Sequence, residues 1–361
     1  MMGQLPMEEN QSSIVSRLFA YAFERPTPLF VTFELTLNCN LKCVHCYNFD
    51  RAKPMPKEIK DLELTPAEIL KTITELAEAG ALSISFSGGE ALLHPHLLDF
   101  VRKAREHSMA VRIKSNGMLL TEDRVRNLLE AGASDVDVSM YGASAEIHDA
   151  FTTKSGSFAK TKAGAETAHR LGLKPKISFI LHRENASQVG AMIQMAADLG
   201  VDYDFSSELT ARYDGTVGST DHRITEAQIR EIFSGPFKDS IRDLKNSQKD
   251  IRCACAKAVC GISSTGNVYP CIGAPVRSGN LREQSFAEIW EHSAELNQIR
   301  NLEMTDFKKC YPCADRAFCQ RSSGASFANT GDYTGADPWV CMEARTYHEI
   351  HAENEELETK F

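Results

Sequence analysis

The sequence predicts an α/β fold in which a partial (β/α)6 barrel of the TIM type precedes a small cysteine-rich C-terminal domain. Between about residues 30 and 205, short β-like runs alternate with helical patterns, which is typical of a parallel sheet. Eight of the 11 cysteines then follow residue 251. Polar and glycine-rich motifs stand directly after several of the β-like runs, where a barrel of parallel strands carries its functional groups.

Six runs have the length and composition of strands: Phe30–Leu37, Leu82–Ser87, Val111–Ser115, Val136–Met140, Ile177–Leu181 and Val201–Phe205. The helix before the second strand opens with a capping box from Thr65 to Glu68. Gly132, Gly172 and Gly200 each precede a strand, as expected for glycine just past a helix C-terminus. Right-handed crossovers between such units curl the strands into a partial barrel.

Changes in composition divide the chain into four predicted parts. These are an N-terminal extension (1–27), the barrel (28–224), a charged bridging segment (225–250) and the cysteine-rich domain (251–361). In the last part, an apolar stripe predicts a helix from Ser285 to Leu302.

The overall composition is that of an ordinary globular protein. Hydrophobic residues make up 42% of the 361 residues and charged residues 25%. No apolar run approaches the length of a membrane helix, and the N-terminus lacks the features of a signal peptide. The net charge of −9 disfavours nucleic-acid binding. We therefore expect a cytoplasmic protein that binds neither membrane nor nucleic acid.

The pattern C-x3-C-x2-C of Cys39, Cys43 and Cys46 follows the first strand. Iron–sulfur clusters are normally held by four cysteines, so a triad leaves one iron of a 4Fe-4S cluster open for a small molecule. A zinc site completed by His45 is the alternative. Disulfides are disfavoured because the chain has no export signal and an odd number of cysteines.

Three further motifs follow the second, third and fourth strands: Ser87-Gly88-Gly89-Glu90, Ser115-Asn116-Gly117 and Ser139-Met140-Tyr141-Gly142. Glycines let backbone groups approach a ligand, and a carboxylate accepts hydrogen bonds from an ammonium group. Ordinary turns are the alternative reading of each tetrapeptide taken alone.

The triad with Tyr47 behind it, together with Gly88-Gly89-Glu90, resembles the signature of radical S-adenosylmethionine (SAM) enzymes. The resemblance implies that Cys39, Cys43 and Cys46 are catalytic cluster ligands and that the open iron chelates SAM, which is cleaved to methionine and a 5′-deoxyadenosyl radical. The residue after Glu90, usually proline, is Ala91 here. The remaining implied contacts to SAM come from Gly88, Gly89 and Glu90 (amino group), Ser115, Asn116 and Ser139 (ribose or carboxylate), Tyr47 (adenine) and Arg212 (carboxylate or substrate).

The C-terminal cysteines resemble the SPASM extension of peptide-modifying radical SAM enzymes, which houses two auxiliary 4Fe-4S clusters. The implied ligand sets are Cys253, Cys255, Cys260 and Cys271, and Cys310, Cys313, Cys319 and Cys341. The family often has another cysteine where this chain has Ser323, so it stays open whether Cys253 or Cys255 completes the first auxiliary cluster. A pair of zinc ribbons is the alternative. With the triad, the expected cofactors are three 4Fe-4S clusters and SAM.

The resemblance implies oxidative modification of a peptide or protein side chain, by crosslinking or desaturation. The short stretch before Cys39 favours enzymes of the pyrroloquinoline quinone or mycofactocin type, which use a separate leader-peptide-binding protein. An electron donor such as flavodoxin or ferredoxin is also implied. Three alternatives stay open. They are an anaerobic sulfatase-type maturase, weakened because Ile272 replaces an expected Asp base, a tetrapyrrole side-chain decarboxylase, and a non-enzymatic zinc-rich binding module.

Overall fold

The computed structural model describes residues 14–56, 59, 61–234, 237 and 252–358. Its strands are β1 (Phe30–Thr36), β2 (Ser83–Gly88), β3 (Ala110–Ser115), β4 (Asp135–Met140), β5 (Pro175–Ile180), β6 (Asp202–Ser206), β7 (Val259–Ile262), β8 (Asn267–Tyr269) and β9 (Gly279–Asn280). They form one sheet in the order β6-β5-β4-β3-β2-β1-β7-β8-β9. The strands β1 to β6 run parallel, so the predicted partial (β/α)6 barrel of the TIM type is confirmed.

Helices connect the strands and pack against the sheet. They are α1 (Ile14–Glu24), α2 (Pro66–Glu78), α3 (Leu97–Glu106), α4 (Glu122–Ala131), α5 (Ala145–Thr152), α6 (Ser157–Leu171), α7 (Val189–Leu199), α8 (Glu226–Phe233), α9 (Phe286–His292), α10 (Ala294–Arg300), α11 (Ser323–Thr330) and α12 (Pro338–Glu358). The predicted capping box forms at the start of α2, where Thr65 and Glu68 bond to each other's backbone N–H groups. The predicted helix over 285–302 is instead two helices, separated at Ser293.

The main core lies between one face of the sheet and the helices. On β1, Val31, Phe33 and Leu35 are buried in the same apolar cluster as Ile69 and Ile73 of α2. Side chains alternate between the two faces of a strand. The intervening Glu34 and Thr36, which are also buried, therefore project to the barrel interior.

The cysteine-rich region continues the barrel sheet. Strand β7 pairs in parallel with β1, with Phe30 opposite Val259 and Phe33 opposite Ile262. Strands β8 and β9 then add antiparallel edges. The region predicted as a separate domain after residue 250 is thus joined to the barrel through main-chain hydrogen bonds.

The predicted bridging segment 225–250 is described only at its beginning. The helix α8 starts from a capping box between Thr225 and Gln228. Apart from residue 237, positions from 235 to 251 lie outside the described residues. Of the predicted extension 1–27, the described part includes α1, where Ala22 packs against Leu29 and Ala258. No helix in the described ranges is long and apolar enough to cross a membrane.

Two helical glycines give a matched test of the packing between α6 and the loop after β3. A Cβ on Gly164 would lie 2.1 Å from the carbonyl oxygen of Gly117, whereas a Cβ on Gly190 meets nothing within 4 Å. We expect Gly164→Ala to destabilise the fold by about 1–3 kcal/mol through overpacking. Gly190→Ala should stabilise it by up to about 1 kcal/mol by restricting the unfolded chain. Thermal melts of both variants check this; equal melting temperatures would contradict it.

Candidate active site

The cysteine triad lies in the loop that follows β1, at the carboxyl end of the barrel. Backbone N–H groups of Lys42 and Val44 donate to the carbonyls of Thr152 and Phe151, at 3.2 and 3.1 Å. The N–H of Cys46 donates to the carbonyl of Cys43 at 3.2 Å. These bonds tie the loop to the end of α5 and hold the three cysteines on one short turn.

The three thiols are half-buried and interact electrostatically with one another. The pKa of Cys43 is raised by burial and then by the neighbouring charges of Cys39 and Cys46. Three thiolates in such a place require compensating positive charge, which a metal centre supplies on binding. Among the residues described, no three Cys, His, Asp or Glu side chains form a group that could hold a single metal ion.

His45, which would complete the triad in the alternative zinc site, belongs to an aromatic cluster. Its ring centroid lies 4.8 Å from that of Tyr141 and 4.8 Å from that of Phe151. Burial, together with the nearby His182, His222 and Arg212, lowers the pKa of His45 to about 3. This placement favours a packing role for His45.

Arg51 is a site residue that the sequence did not indicate. Its Nε donates to the Sγ of Cys46 at 3.2 Å, and its Nη1 donates to the carbonyl of Leu37 at 2.6 Å. The guanidinium carbon lies 4.3 Å from the ring centroid of Phe49. Arg51 is buried, so its charge acts on the triad through a medium that screens it weakly.

The glycines after β2 pack against the backbone of the cysteine loop. A Cβ on Gly88 would lie 2.2 Å from the carbonyl oxygen of Thr36, and one on Gly89 would lie 2.3 Å from that of Asn38. The N–H groups of Gly89 and Glu90 donate to those same two carbonyls, at 2.7 and 2.8 Å. The glycines are thus required where two backbones meet, beside the triad.

The buried carboxylate of Glu90 links the ends of β2 and β3. One oxygen accepts from the N–H of Leu92 and the hydroxyl of Ser115, both at 3.0 Å, and the other accepts from the N–H of Asn116 at 2.8 Å. Burial raises its pKa, and these hydrogen bonds oppose the rise. A carboxylate has about four acceptor positions, so one remains for a further donor.

Asn116 extends this arrangement to the cysteine loop. Its Nδ2 donates to the Oδ1 of Asn40 at 2.7 Å and lies 4.0 Å from the Sγ of Cys39. Ser139, on β4, is half-buried and bonds to the phenol of Tyr141. The structure therefore brings Glu90, Ser115 and Asn116 together beside Cys39, whereas Ser139 lies with the aromatic residues near Cys43.

Tyr47 directs its hydroxyl into the barrel. It donates to the Oε1 of Glu34 at 2.8 Å, and its ring lies edge-on to Tyr213 with centroids 5.3 Å apart. Burial raises the pKa of Glu34 to about 7, although hydrogen bonds from Tyr47 and Asn48 oppose the rise. The buried hydroxyl of Tyr213 has no hydrogen-bond partner among the described residues.

Arg212 reaches the cysteine loop from the segment after β6. Its Nη2 donates to the carbonyl of Val44 at 2.9 Å, and its Nη1 donates to the hydroxyl of Thr216 at 3.3 Å. The side chain is buried, and its Nε has no partner among the described residues. Arg212 thus lies beside the triad, and its Nε–H is left without a partner among the described residues.

The first set of C-terminal cysteines is divided by the structure. Cys255 lies within hydrogen-bonding reach of both Cys253 and Cys271. Cys260 is 2% exposed and belongs to the main apolar core. The predicted group of four thiols is therefore observed as a group of three, with Cys260 elsewhere.

The second set remains together. Burial raises the pKa of Cys319 to about 12, with Cys310 and Cys341 adding to the rise, and Cys341 also interacts with Cys310 and Cys313. Cys310 is buried, Cys319 is half-buried, and Cys313 and Cys341 are exposed. The four thiols thus form one group near the surface.

Comparison with known proteins agrees with this arrangement. Residues 33–196 match the model of the radical SAM superfamily. Residues 253–315 match the SPASM model, described as an iron–sulfur cluster-binding domain. The chain belongs to the radical SAM superfamily and carries a SPASM domain. It is therefore a radical SAM enzyme whose cofactors are SAM and iron–sulfur clusters.

Two curated relatives align with this radical SAM enzyme over nearly their whole length. An "AdoMet-dependent heme synthase" of Methanosarcina barkeri is 28% identical, over 86% of this chain and 96% of the relative. A "PqqA peptide cyclase" of Methylocella silvestris is also 28% identical, over 92% of this chain and 94% of the relative.

Solved structures show the same fold. SuiB of Streptococcus suis bound to S-adenosylmethionine has a TM-score of 0.64 at 16% identity, covering 91% of this chain and 81% of that one. The enzyme anSMEcpe with bound AdoMet has a TM-score of 0.68 at 17% identity, covering 91% and 98%.

The contact from Arg51 to Cys46 predicts an effect on the radical SAM cluster. Hydrogen bonds to cluster sulfurs and nearby positive charge raise the reduction potential. We expect Arg51→Met to shift the potential of this cluster in the negative direction and Arg51→Lys to shift it less. EPR-monitored redox titration of the full-length enzyme measures both. An unchanged potential in Arg51→Met would contradict the assigned role.

Glu34 predicts a pH-dependent difference in stability. Its pKa is about 7 in the folded enzyme against an ordinary value of 4.5, so the stability gained from protonation is complete below pH 4.5 and is lost as the pH rises through 7. Glu34→Gln stays neutral throughout. The melting temperature of this variant should therefore rise relative to that of the parent between pH 5 and pH 8. A constant difference would show that Glu34 is ionised across this range.

Proposed function

We propose that this radical SAM enzyme oxidatively modifies a side chain of a ribosomally made peptide or protein, forming a crosslink or a desaturated residue. The observation that carries the proposal is the polar barrel interior between two cysteine groups. The ring of Tyr213 lies edge-on both to that of Tyr47, with centroids 5.3 Å apart, and to that of Tyr269, with centroids 6.2 Å apart. Its phenol also interacts electrostatically with Glu34 and Cys271. A substrate side chain placed there would lie between the triad and the first auxiliary group.

The triad residues Cys39, Cys43 and Cys46 hold the SAM-binding cluster in this proposal. When bound, that cluster and SAM supply a 5′-deoxyadenosyl radical, which removes a hydrogen atom from the substrate. The residues proposed to contact SAM are Tyr47, Gly88, Gly89, Glu90, Ser115, Asn116, Ser139 and Arg212. The free acceptor position of Glu90 suits the ammonium group of SAM, and the unused Nε of Arg212 suits its carboxylate.

The oxidative step requires an electron acceptor and a proton acceptor. A substrate radical that becomes a double bond or a crosslink gives up one electron and one proton. The C-terminal cysteine groups would hold a cluster able to take up the electron, and we assign the proton to Glu34. A carboxylate with a pKa of about 7 is well matched to accept a proton at neutral pH.

The proposal includes three 4Fe-4S clusters, two of them at the C-terminal cysteine groups. The partners that we propose are a separate leader-peptide-binding protein and a reductant such as flavodoxin or ferredoxin, in the cytoplasm. The peptide class is supported by similarity to PqqA peptide cyclases.

A second candidate is the removal of a carboxyl side chain from a tetrapyrrole. It is favoured by similarity to heme synthases of Methanosarcina barkeri and Oleidesulfovibrio alaskensis, at 28% and 26% identity. Both candidates begin with hydrogen-atom abstraction, and they differ in the substrate and in the carbon dioxide that only the decarboxylase releases. The sulfatase-type maturase has less support because Ile272 cannot serve as a base.

Mass spectrometry after anaerobic incubation with SAM and reductant distinguishes the candidates. A peptide encoded beside this protein should lose two hydrogens in the proposed reaction. A porphyrin with propionate side chains should bind with an optical shift and lose carbon dioxide if the second candidate holds. Neither change, with deoxyadenosine still formed, would contradict both candidates.

The variant Cys43→Ala tests the radical mechanism itself. It removes one of three ligands of the SAM-binding cluster, so deoxyadenosine formation should fall to background while the iron of the auxiliary groups remains. Gly190→Ala is the control for folding, because a Cβ at this position meets nothing within 4 Å. Turnover that persists in Cys43→Ala would refute the mechanism.

A further inference from the structure

The first auxiliary group lacks a fourth thiol because Cys260 faces the other side of the sheet. Cys260 pairs with Val31 across β7 and β1 and is buried in the same core. The next residue, Gly261, faces the cysteine group, since a Cβ there would lie 2.6 Å from the N of Ile272 and 2.8 Å from the carbonyl carbon of Cys271. Alternation along β7 therefore directs Cys260 away from Cys271.

A phenol takes the place beside the three remaining thiols. The Oη of Tyr333 lies 3.0 Å from the Sγ of Cys253. Tyr333 also interacts electrostatically with Cys253, Cys255 and Cys271. The oxygen thus extends a continuous series of contacts that runs from Tyr333 through Cys253 and Cys255 to Cys271.

The hydroxyl of Ser323, at the position where related enzymes often have cysteine, is already engaged. Its Oγ accepts a hydrogen bond from the Nη1 of Arg321 at 2.7 Å, and both side chains are buried. The same guanidinium donates to the carbonyl of Tyr333 and lies 4.9 Å from the ring centroid of Phe307. Arg321 therefore engages the hydroxyl of Ser323 and also fixes the backbone of Tyr333 by hydrogen bonding.

A turn also orders the segment that carries the phenol. The Oδ1 of Asp332 accepts from the N–H and the hydroxyl of Thr334, at 2.8 and 2.9 Å, and the N–H of Asp332 donates to the hydroxyl of Thr330 at 3.2 Å. The backbone on both sides of Tyr333 is thus held by hydrogen bonds. Its side chain is presented to the thiols by a formed loop.

We propose that the first auxiliary cluster is held by Cys253, Cys255 and Cys271 together with the phenolate oxygen of Tyr333, and that Cys260 is not a ligand. On binding iron, the phenol gives up its proton, as each thiol does. Because oxygen is a harder ligand than sulfur, one iron of the cluster differs from the other three. This inference rests on the proposed function only in that the group holds an iron–sulfur cluster.

The test uses the full-length chain with Cys39, Cys43 and Cys46 replaced by alanine, so that the auxiliary iron is observed alone. The protein is reconstituted anaerobically with ⁵⁷Fe and sulfide, and iron is counted and examined by Mössbauer spectroscopy. Tyr333→Phe should lose roughly one iron per chain, since a cluster corner without a ligand is easily lost. Tyr333→Cys should restore that iron with an all-sulfur spectrum.

Two cysteine variants are the matched controls. Cys260→Ala should leave the iron content unchanged, whereas Cys255→Ala should remove the iron of the first auxiliary cluster. Loss of that cluster from Cys260→Ala, in a variant that still folds by circular dichroism, would overturn the proposal. An identical Mössbauer spectrum in Tyr333→Phe and the parent would also overturn it.

A measurement without mutation of the site gives independent evidence. Ring-deuterated tyrosine is incorporated into the same background, and the reduced auxiliary clusters are examined by electron–nuclear double resonance. A deuterium coupling that disappears in Tyr333→Phe supports ligation, and absence of any coupling in the parent contradicts it. If the parent holds no auxiliary iron at all, the cluster assignment of the proposed function fails, which is a separate result.

Discussion

The backbone pairing between the end of β1 and the turn after β2 is the constraint on which the site depends. The carbonyls of Thr36 and Asn38 accept hydrogen bonds from the N–H groups of Gly89 and Glu90. A side chain at Gly88 or Gly89 would collide with these carbonyls. This pairing fixes the first residues of the cysteine loop relative to the neighbouring strand. The carboxylate of Glu90 in turn fixes the end of β3 by accepting hydrogen bonds from Ser115 and Asn116.

These contacts change the reading of the glycine motif. From sequence, Gly88 and Gly89 were expected to admit a ligand, because glycine allows close approach. In the structure the close approach is that of the chain to itself. The motif therefore holds the cysteine loop and orients Glu90, in addition to the contacts to SAM that we propose for its two glycines.

Much of the fold could be predicted because it depends on local patterns. The strands and the capping box at Thr65 follow from alternation and from short-range hydrogen bonds, and both were found. The predicted single helix over 285–302 was wrong because Ser293, with a non-helical ψ of 126°, ends α9 and caps α10. The apolar stripe of this segment indicates which side chains are buried. Because both short helices bury side chains of that stripe, the stripe does not show the break between them.

The site could be predicted only in part. The motif residues were found from spacing, but the partner of Cys253 is Tyr333, 80 positions away, and no spacing rule links a tyrosine to a distant cysteine. Arg51 was missed because a lone arginine after the triad has no pattern. Cys260 was assigned to the first auxiliary cluster by counting thiols. Its side chain points into the core because of its position in the alternation along β7.

The parallel pairing of β7 with β1 also bears on how the chain is made. Residues 30–33 have β2 on one side and residues 259–262 on the other, so one edge of β1 stays unpaired until residue 262 of the 361 has emerged from the ribosome. An unpaired flank of this kind invites strands of other molecules. The nascent barrel is consequently vulnerable to aggregation over a long interval of synthesis.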